Sequence, residues 1–137
     1  MQNEESNYFN FSVSFRIMDV PQYHDQIEEV TGLKATHAHC KGESRDKHNR
    51  IKWDNDIWIL ESQLKKDSNF NKHIEWIYNQ IFPHVRYFRA LQKKNANIDL
   101  YCGYRSDCDN GGFTLTPESI KYIGKLNFPI GFSIVIS

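Results

Sequence analysis

The sequence lacks an excess of either charge and lacks long apolar runs. Seventeen lysine and arginine residues balance seventeen aspartate and glutamate residues in a chain of 137 residues. Nucleic-acid binding needs a basic surface that displaces counterions from the phosphates, so we expect no nucleic-acid partner. A membrane-spanning helix needs a run of about 18 apolar residues, and the sequence contains none.

Cysteine is also scarce. The three cysteines, Cys40, Cys102 and Cys108, form an odd set without close pairing. This pattern suits a reducing cytoplasm better than a disulfide framework. Residues 1–6 are polar and acidic and lack the pattern of a secretion signal, and we expect them to form a disordered tail. The length fits a single domain spanning residues 1–137.

The main pattern in the sequence is the alternation of apolar and polar residues over segments of strand length. Apolar and polar residues alternate along Phe9–Ile17, which predicts a strand with one apolar and one polar face. Similar alternation predicts strands at Ile98–Tyr104 and Ile130–Ile136. Helical patterns lie between these strands. The order predicts an α+β two-layer sandwich, with a mostly antiparallel or mixed sheet and helices on one face.

The middle of the chain predicts a hairpin followed by two helices. Ile51–Trp53 and Ile57–Ser62 are expected to pair as strands across a polar turn. Apolar residues spaced for one helix face then run through Phe70–Ile81 and continue through Val85–Leu91. Pro83 removes a backbone donor, so we expect two helical segments joined near residue 82.

The last third of the chain predicts a second hairpin and a capped helix. Asn110–Gly111 suits a tight turn, and Phe113–Leu115 is expected to form a short strand after it. Thr116 is the expected helix cap. In the helix that follows, Ile120 and Ile123 are expected to face inward.

Six short motifs together resemble a known family. They are Ile27–Leu33, Thr36, Lys41–Glu43, Trp58–Ser62, His73–Trp76 and Gly112–Glu118. Their order and spacing resemble the bacterial family catalogued as domain of unknown function 4279 (DUF4279), from about residue 9 to residue 136. The resemblance implies a small cytoplasmic bacterial protein and supplies no established activity or catalytic residues. An immunity-type role beside a toxin is an expectation by analogy.

One candidate site consists of metal-ligand side chains. His37 and His39 would point to the same side of a strand, and Cys40 and His48 follow them. Zinc accepts imidazole and thiolate ligands. The group lacks paired Cys-x-x-Cys spacing, however, and a solvated strand edge explains the same residues. This region is the basis of an alternative function, a small-molecule or metal-dependent enzyme, although no cofactor is predicted.

Two further patterns have structural explanations. The turn Asp109–Gly112 before a helix can hold an anion, but turn geometry alone accounts for it. Cys108 or Cys40 with a histidine partner could act as a nucleophile, but no motif fixes that geometry. Cys102 shares the apolar face of its strand, and we expect it in the core.

The remaining candidate is the polar face of the sheet, here called the open face. Alternation predicts that it exposes Ser12, Ser14, Arg16, Asp99, Tyr101 and Ser133. Tyrosine and arginine are common anchors of protein interfaces, although an ordinary solvated sheet face has the same composition. A second, basic surface on a helix consists of Arg86, Arg89, Lys93 and Lys94.

These patterns favour a non-catalytic protein-binding module over an enzyme. The expected binding surface is the open face, because no set of catalytic residue types converges elsewhere in the sequence. The expected partner is another protein, such as a toxin or a host protein. The chain itself is expected to be a monomer or a homodimer formed through an edge strand.

Overall fold

A computed structural model describes residues 9–48, 51–107 and 112–136 of the chain. The expected tail of residues 1–6, the Cys108 candidate and the turn at residues 109–111 lie outside these ranges. Within them, no helix has the length and apolar character needed to cross a membrane.

Five strands and four α-helices build the described part. The strands are β1 (Phe9–Met18), β2 (His37–His39), β3 (Ile57–Glu61), β4 (Asn97–Ser106) and β5 (Ile130–Ile136). The α-helices are α1 (His24–Thr31), α2 (Phe70–Ile81), α3 (Val85–Lys93) and α4 (Pro117–Leu126). Short 3₁₀ helices cover Pro21–Tyr23 and Phe82–His84.

The sheet order is β2-β3-β1-β4-β5. All neighbours are antiparallel except β4 and β5, which are parallel. The predicted α+β fold with a mixed sheet is confirmed.

Strand β1 lies at the centre of the sheet, and its alternating residues divide between the two sheet faces. Its apolar side chains from Phe11 to Ile17 are at most 2% exposed and face the helices. The ring of Phe15 is central, with its centroid 4.8 Å from Phe88, 5.6 Å from Phe128 and 6.5 Å from Trp58. Strand β1 therefore buries one face against the helix layer and leaves its polar residues on the other.

The predicted joint between two helices is also confirmed. Helix α2 ends at Ile81, a 3₁₀ turn covers Phe82–His84, and α3 starts at Val85. Pro83 lies inside this turn, where the missing donor breaks the regular helix.

The hairpin predicted between Ile51–Trp53 and Ile57–Ser62 is wrong. Strand β3 pairs with β1 on one side and with β2 on the other, so neither of its edges is free for residues 51–53. That segment folds back onto Glu43–Arg45 instead. The N–H of Trp53 donates to the Glu43 carbonyl at 2.9 Å, and the N–H of Arg45 donates to the Ile51 carbonyl at 2.8 Å.

The strand predicted at Phe113–Leu115 does not form. Strand β4 already has β1 and β5 as neighbours, so the sheet has no edge for this segment at β4. Its side chains still reach the core. The Phe113 ring packs against Phe11 at 5.0 Å and against Phe70 at 5.1 Å between centroids.

Helix α4 is capped as predicted but rotated from the expected orientation. Thr116 accepts a hydrogen bond from the Ser119 N–H. Ile120 points outward, with 58% of its surface exposed, while Ser119 and Leu126 are buried and Ile123 is partly buried. The prediction for Ile120 is therefore wrong.

Asn71 on α2 explains that rotation. Its side-chain oxygen accepts hydrogen bonds from the Ser119 hydroxyl at 2.6 Å and the Thr116 N–H at 3.0 Å. Its amide N–H donates to the Thr114 carbonyl at 2.8 Å. One side chain thus attaches the first turn of α4 to α2 and turns Ser119 inward.

We expect Asn71→Ala to lower the free energy of unfolding by about 1–3 kcal/mol, because several polar groups lose their partner in a partly buried place. Chemical denaturation measures the change. Asn79→Ala, at an exposed position of the same helix, is the matched control and should cost less than about 0.5 kcal/mol. Equal losses in both variants would contradict the role of Asn71.

Candidate functional site: the open sheet face

The strand register places the predicted open-face residues side by side. Arg16 lies opposite Asp99 of β4, and Ser14 lies opposite Tyr101. Ser12 lies opposite Gly103, which in turn pairs with Ser133 of β5. Laterally paired residues point to the same side of a sheet, so these side chains share one face. The helices pack against the other face.

A preformed charged and aromatic array lies at the centre of the open face. The Arg16 guanidinium donates two hydrogen bonds to the Asp99 carboxylate, at 2.8 and 2.6 Å. It also lies over the Tyr101 ring, 4.5 Å from the centroid. The hydrogen bond to Asp99 raises the pKa of Arg16 above its ordinary value, against the opposing effect of burial. The paired groups are about a quarter exposed, so they remain accessible while held in one geometry.

The Tyr101 ring packs over Gly131 of β5. A side chain built onto Gly131 would meet the ring at 3.6 Å, so the ring lies across the β5 backbone at this point. Tyr101 is thereby held between the guanidinium of Arg16 and strand β5.

Ser14 is not exposed, contrary to the prediction for the open face. It is 7% exposed and lies between Glu61 and Tyr101 in the sheet. Its small side chain sits below these longer neighbours. Ser14 therefore forms the floor of the surface and does not offer a contact of its own.

Glu61 and Lys66 extend the array and were missed by sequence reasoning. The Ser12 hydroxyl donates to the Glu61 carboxylate at 2.7 Å, and the Lys66 ammonium lies 2.5 Å from the same oxygen. Burial alone would raise the pKa of Glu61, but hydrogen bonds from Lys66 and Ser12 outweigh it and lower the pKa. The inward positions of Trp58 and Leu60 place Glu61 on the open face, but only the register with Ser14 brings it beside Ser12.

A shallow groove of about 200 Å³ runs along one end of the open face. Small residues form its floor, because Gly103 lies between Ser12 and Ser133. Its other lining residues are Asn10, Tyr104, Arg105 and Val135. The groove has room for a side chain beside the charged array.

A second cavity, of about 300 Å³, is more apolar. Its rings come from Phe9, Phe11, Phe70, Tyr104 and Phe113. Asn71 also lines it, but that side chain already bonds to Thr114, Thr116 and Ser119. This cavity has the shape for a small apolar group but offers little polar specificity.

His37 and His39 lie on the same side of β2, as predicted, and they bond to each other. Their facing nitrogens are 2.7 Å apart, and the other nitrogen of His39 is 2.9 Å from the Asn55 side-chain oxygen. In the neutral tautomer of His39 that donates to this oxygen, the other ring nitrogen is left to accept from His37. His39 is also stacked on Trp53 at 3.6 Å between centroids. The pair thus links β2 to Trp53 and Asn55.

The structure does not assemble the predicted metal ligands. Among the described residues, no three histidine, cysteine or acidic side chains are grouped to hold a metal ion. His48 is exposed, and burial, with nearby Glu43, raises the pKa of the Cys40 thiol. A raised pKa disfavours the thiolate that metal binding or nucleophilic attack needs. Cys102 is in the core, where burial raises its pKa to about 12.

Two of the four residues of the predicted basic helix surface contact other segments of the fold. Arg89 donates to the Leu126 carbonyl and lies over the Phe128 ring at 4.6 Å. Lys94 lies over the Tyr23 ring at 5.0 Å. Arg86 and Lys93 remain exposed. The four residues therefore do not form one free basic patch.

The sequence of the chain matches the model of one known protein family. The family model of a domain of unknown function, DUF4279, matches residues 7–137. The chain belongs to the DUF4279 family. Searches of curated proteins and of solved structures found no match. The DUF4279 description assigns no activity.

His73 is a buried titratable residue outside the open face. It is 1% exposed, and its Nδ1 lies 2.7 Å from the Ser62 hydroxyl. Its Nε2 has no hydrogen-bond partner of ordinary geometry among the described residues. Loss of solvation lowers the pKa of His73, although the carbonyl groups of Ser68 and Lys65 oppose the shift. The folded chain therefore favours the neutral imidazole.

We expect the free energy of unfolding to be highest above pH 6.5, the ordinary histidine pKa, and to fall as the pH drops below it. The unfolded chain then binds a proton that folded His73 resists. Unfolding measured between pH 7.5 and 5.5 should show a smaller fall in His73→Asn, with His24 supplying part of the remainder, since burial also lowers its pKa. His48→Asn is the exposed control, and an unchanged slope in His73→Asn would exclude this role.

Protein purified without a histidine tag is expected to contain no stoichiometric zinc, because His37 and His39 bond to each other and the described residues supply no third ligand. Elemental analysis and zinc titration measure this. One zinc per chain, lost in His37→Asn and in His39→Asn, would instead support the alternative metal-dependent function.

Proposed function

We propose that this DUF4279 protein is a bacterial, cytoplasmic, non-catalytic module that binds another protein through its open face, as an immunity protein that blocks a toxin. The observation that carries the proposal is the preformed array of Arg16, Asp99 and Tyr101 on a sheet face away from the helices.

The residue types of the array suit protein recognition. Arginine and tyrosine dominate the energetics of many protein interfaces. Both are held in place before binding, Arg16 by Asp99 and Tyr101 by Arg16 and Gly131. Binding then orders few side chains, which lowers its entropic cost.

The charges of the open face favour a protein over a nucleic acid. Arg16, Lys66 and Arg105 are positive, while Glu61 and Asp99 are negative and lie among them. Phosphate backbones require a surface of one sign. A folded protein can present both signs in the complementary arrangement.

The immunity role is supported by analogy and by the nature of the surface. A rigid sheet face can cover a toxin's active surface without any change in its own fold. The choice of a toxin as partner rests on analogy alone, because the DUF4279 description assigns no activity.

Affinity purification of the full chain from its native host, followed by calorimetry with the purified partner, tests the proposal. Arg16→Glu and Tyr101→Ala should each raise the dissociation constant by about 30-fold or more, the effect of losing an interface anchor. Arg86→Glu, a change to an exposed residue of α3 in the helix layer, is the matched control and should leave the dissociation constant within about twofold of the unmodified value.

Two outcomes would refute the proposal. In one, the protein elutes without a stoichiometric partner. In the other, Arg16→Glu and Tyr101→Ala bind the partner as tightly as the unmodified chain. Thermal unfolding of each variant separates lost binding from lost folding.

A further inference from the structure

Among the described residues, no strand pairs with the outer edge of β5. Strand β5 ends the sheet order and has only β4 beside it among the described strands. The Leu100 N–H donates to the Pro129 carbonyl at 2.8 Å. In a parallel ladder, backbone groups of alternate residues face the neighbour, so those of Gly131, Ser133 and Val135 point to β4. The backbone groups that point outward belong to Ile130, Phe132, Ile134 and Ile136.

This edge lacks the features that normally prevent strand pairing. Its seven residues include no charge and no proline, although charges, prolines and short strands are the usual protection of exposed edges. Four of its apolar side chains are 41–59% exposed: Phe132, Ile134, Val135 and Ile136. The opposite edge of the sheet differs, because β2 has only three residues.

We propose that β5 pairs antiparallel with β5 of a second copy of this chain, so that the two sheets join into one. The register centred on Ser133 pairs the whole strand with itself. Ser133 then faces Ser133 of the second copy, Phe132 faces Ile134, Gly131 faces Val135, and Ile130 faces Ile136. The four facing pairs formed by the outward-pointing residues would exchange about eight hydrogen bonds.

The sequence of β5 favours a second copy over an unrelated strand. Phe132 and Ile134 lie on one side of the sheet and face each other across the twofold axis, so apolar side chains meet apolar side chains. On the other side of the sheet, Val135 faces Gly131, over which the Tyr101 ring lies. A twofold axis would also place any charge near the strand centre opposite its own copy, and β5 has none.

The proposed dimer does not depend on the proposed function. The pairing involves β5 alone, whereas Arg16 lies on β1, separated from β5 by β4. A twofold axis perpendicular to the sheet would place both open faces on the same side of the joined sheet. Arg16→Glu should therefore remain dimeric even where it loses a partner.

Sedimentation equilibrium of the full chain at several concentrations tests the pairing. We expect the unmodified chain to be dimeric. Ser133→Lys and Ser133→Glu should each raise the dimer dissociation constant about tenfold or more, because like charges meet at the twofold axis. An equimolar mixture of the two variants should form a one-to-one heterodimer, which also shows that both fold.

A second pair of variants checks the edge without using Ser133. Ile134→Lys should weaken the dimer, and Ile120→Lys, at a position of nearly equal exposure on α4, should not. A monomeric unmodified chain would overturn the proposal, even if the strand of another protein occupied β5. Dimerisation that survives both Ser133→Lys and Ile134→Lys would also overturn it.

Discussion

The strict two-residue alternation of β1 is the constraint on which the rest of the structure depends. Phe11, Val13, Phe15 and Ile17 all enter the core, so the residues between them all reach the opposite face. Strand β1 pairs with β4 over its full length and with β3 over half of it. A shift of one residue in either pairing would move Arg16 into the core and a phenylalanine onto the surface. The same register that buries the aromatic core therefore also assembles the array of Arg16, Asp99 and Tyr101.

The two sides of the sheet are stabilised by different physical terms. Burial of aromatic and branched side chains dominates the helix side, where Phe15 contacts rings from three other segments. On the open face, partly exposed ion pairs add little to stability because solvent screens them. Arg16 and Asp99 are better understood as fixing the shape of a surface, since two hydrogen bonds hold the guanidinium in one orientation.

The sequence predicted what local periodicity controls and failed where the outcome depended on which segments meet. The face of β1, the break at Pro83 and the Thr116 cap are local properties, and the structure has them. Strand pairing at residues 51–53 and 113–115 failed because other strands already occupy the neighbouring edges. The orientation of Ile120 depended on Asn71, a residue 49 positions earlier, which no helical pattern reveals.

For the candidate site, too, the sequence predicted the face of each residue but not which strands lie side by side. Alternation alone placed Arg16, Asp99 and Tyr101 on one face, but the distances among them depend on a register that spans 83 residues. Glu61 and Lys66 join the array only through a different register, that of β3 against β1. His37 and His39 point the same way, as the strand pattern implied, yet the position of Asn55 and Trp53 beside them made the pair a structural contact.

The central position of an N-terminal strand has a consequence for how the chain folds. Strand β1 is made first, but its full-length partner β4 begins only at Asn97. The phenylalanine-rich strand must therefore wait for most of the chain before its longest ladder can form. Such distant pairing slows folding, because a long loop has to close before its contacts can offset the lost entropy. During synthesis on the ribosome, the rings of Phe11 and Phe15 also stay uncovered until the helices that carry Phe70 and Phe88 have been made.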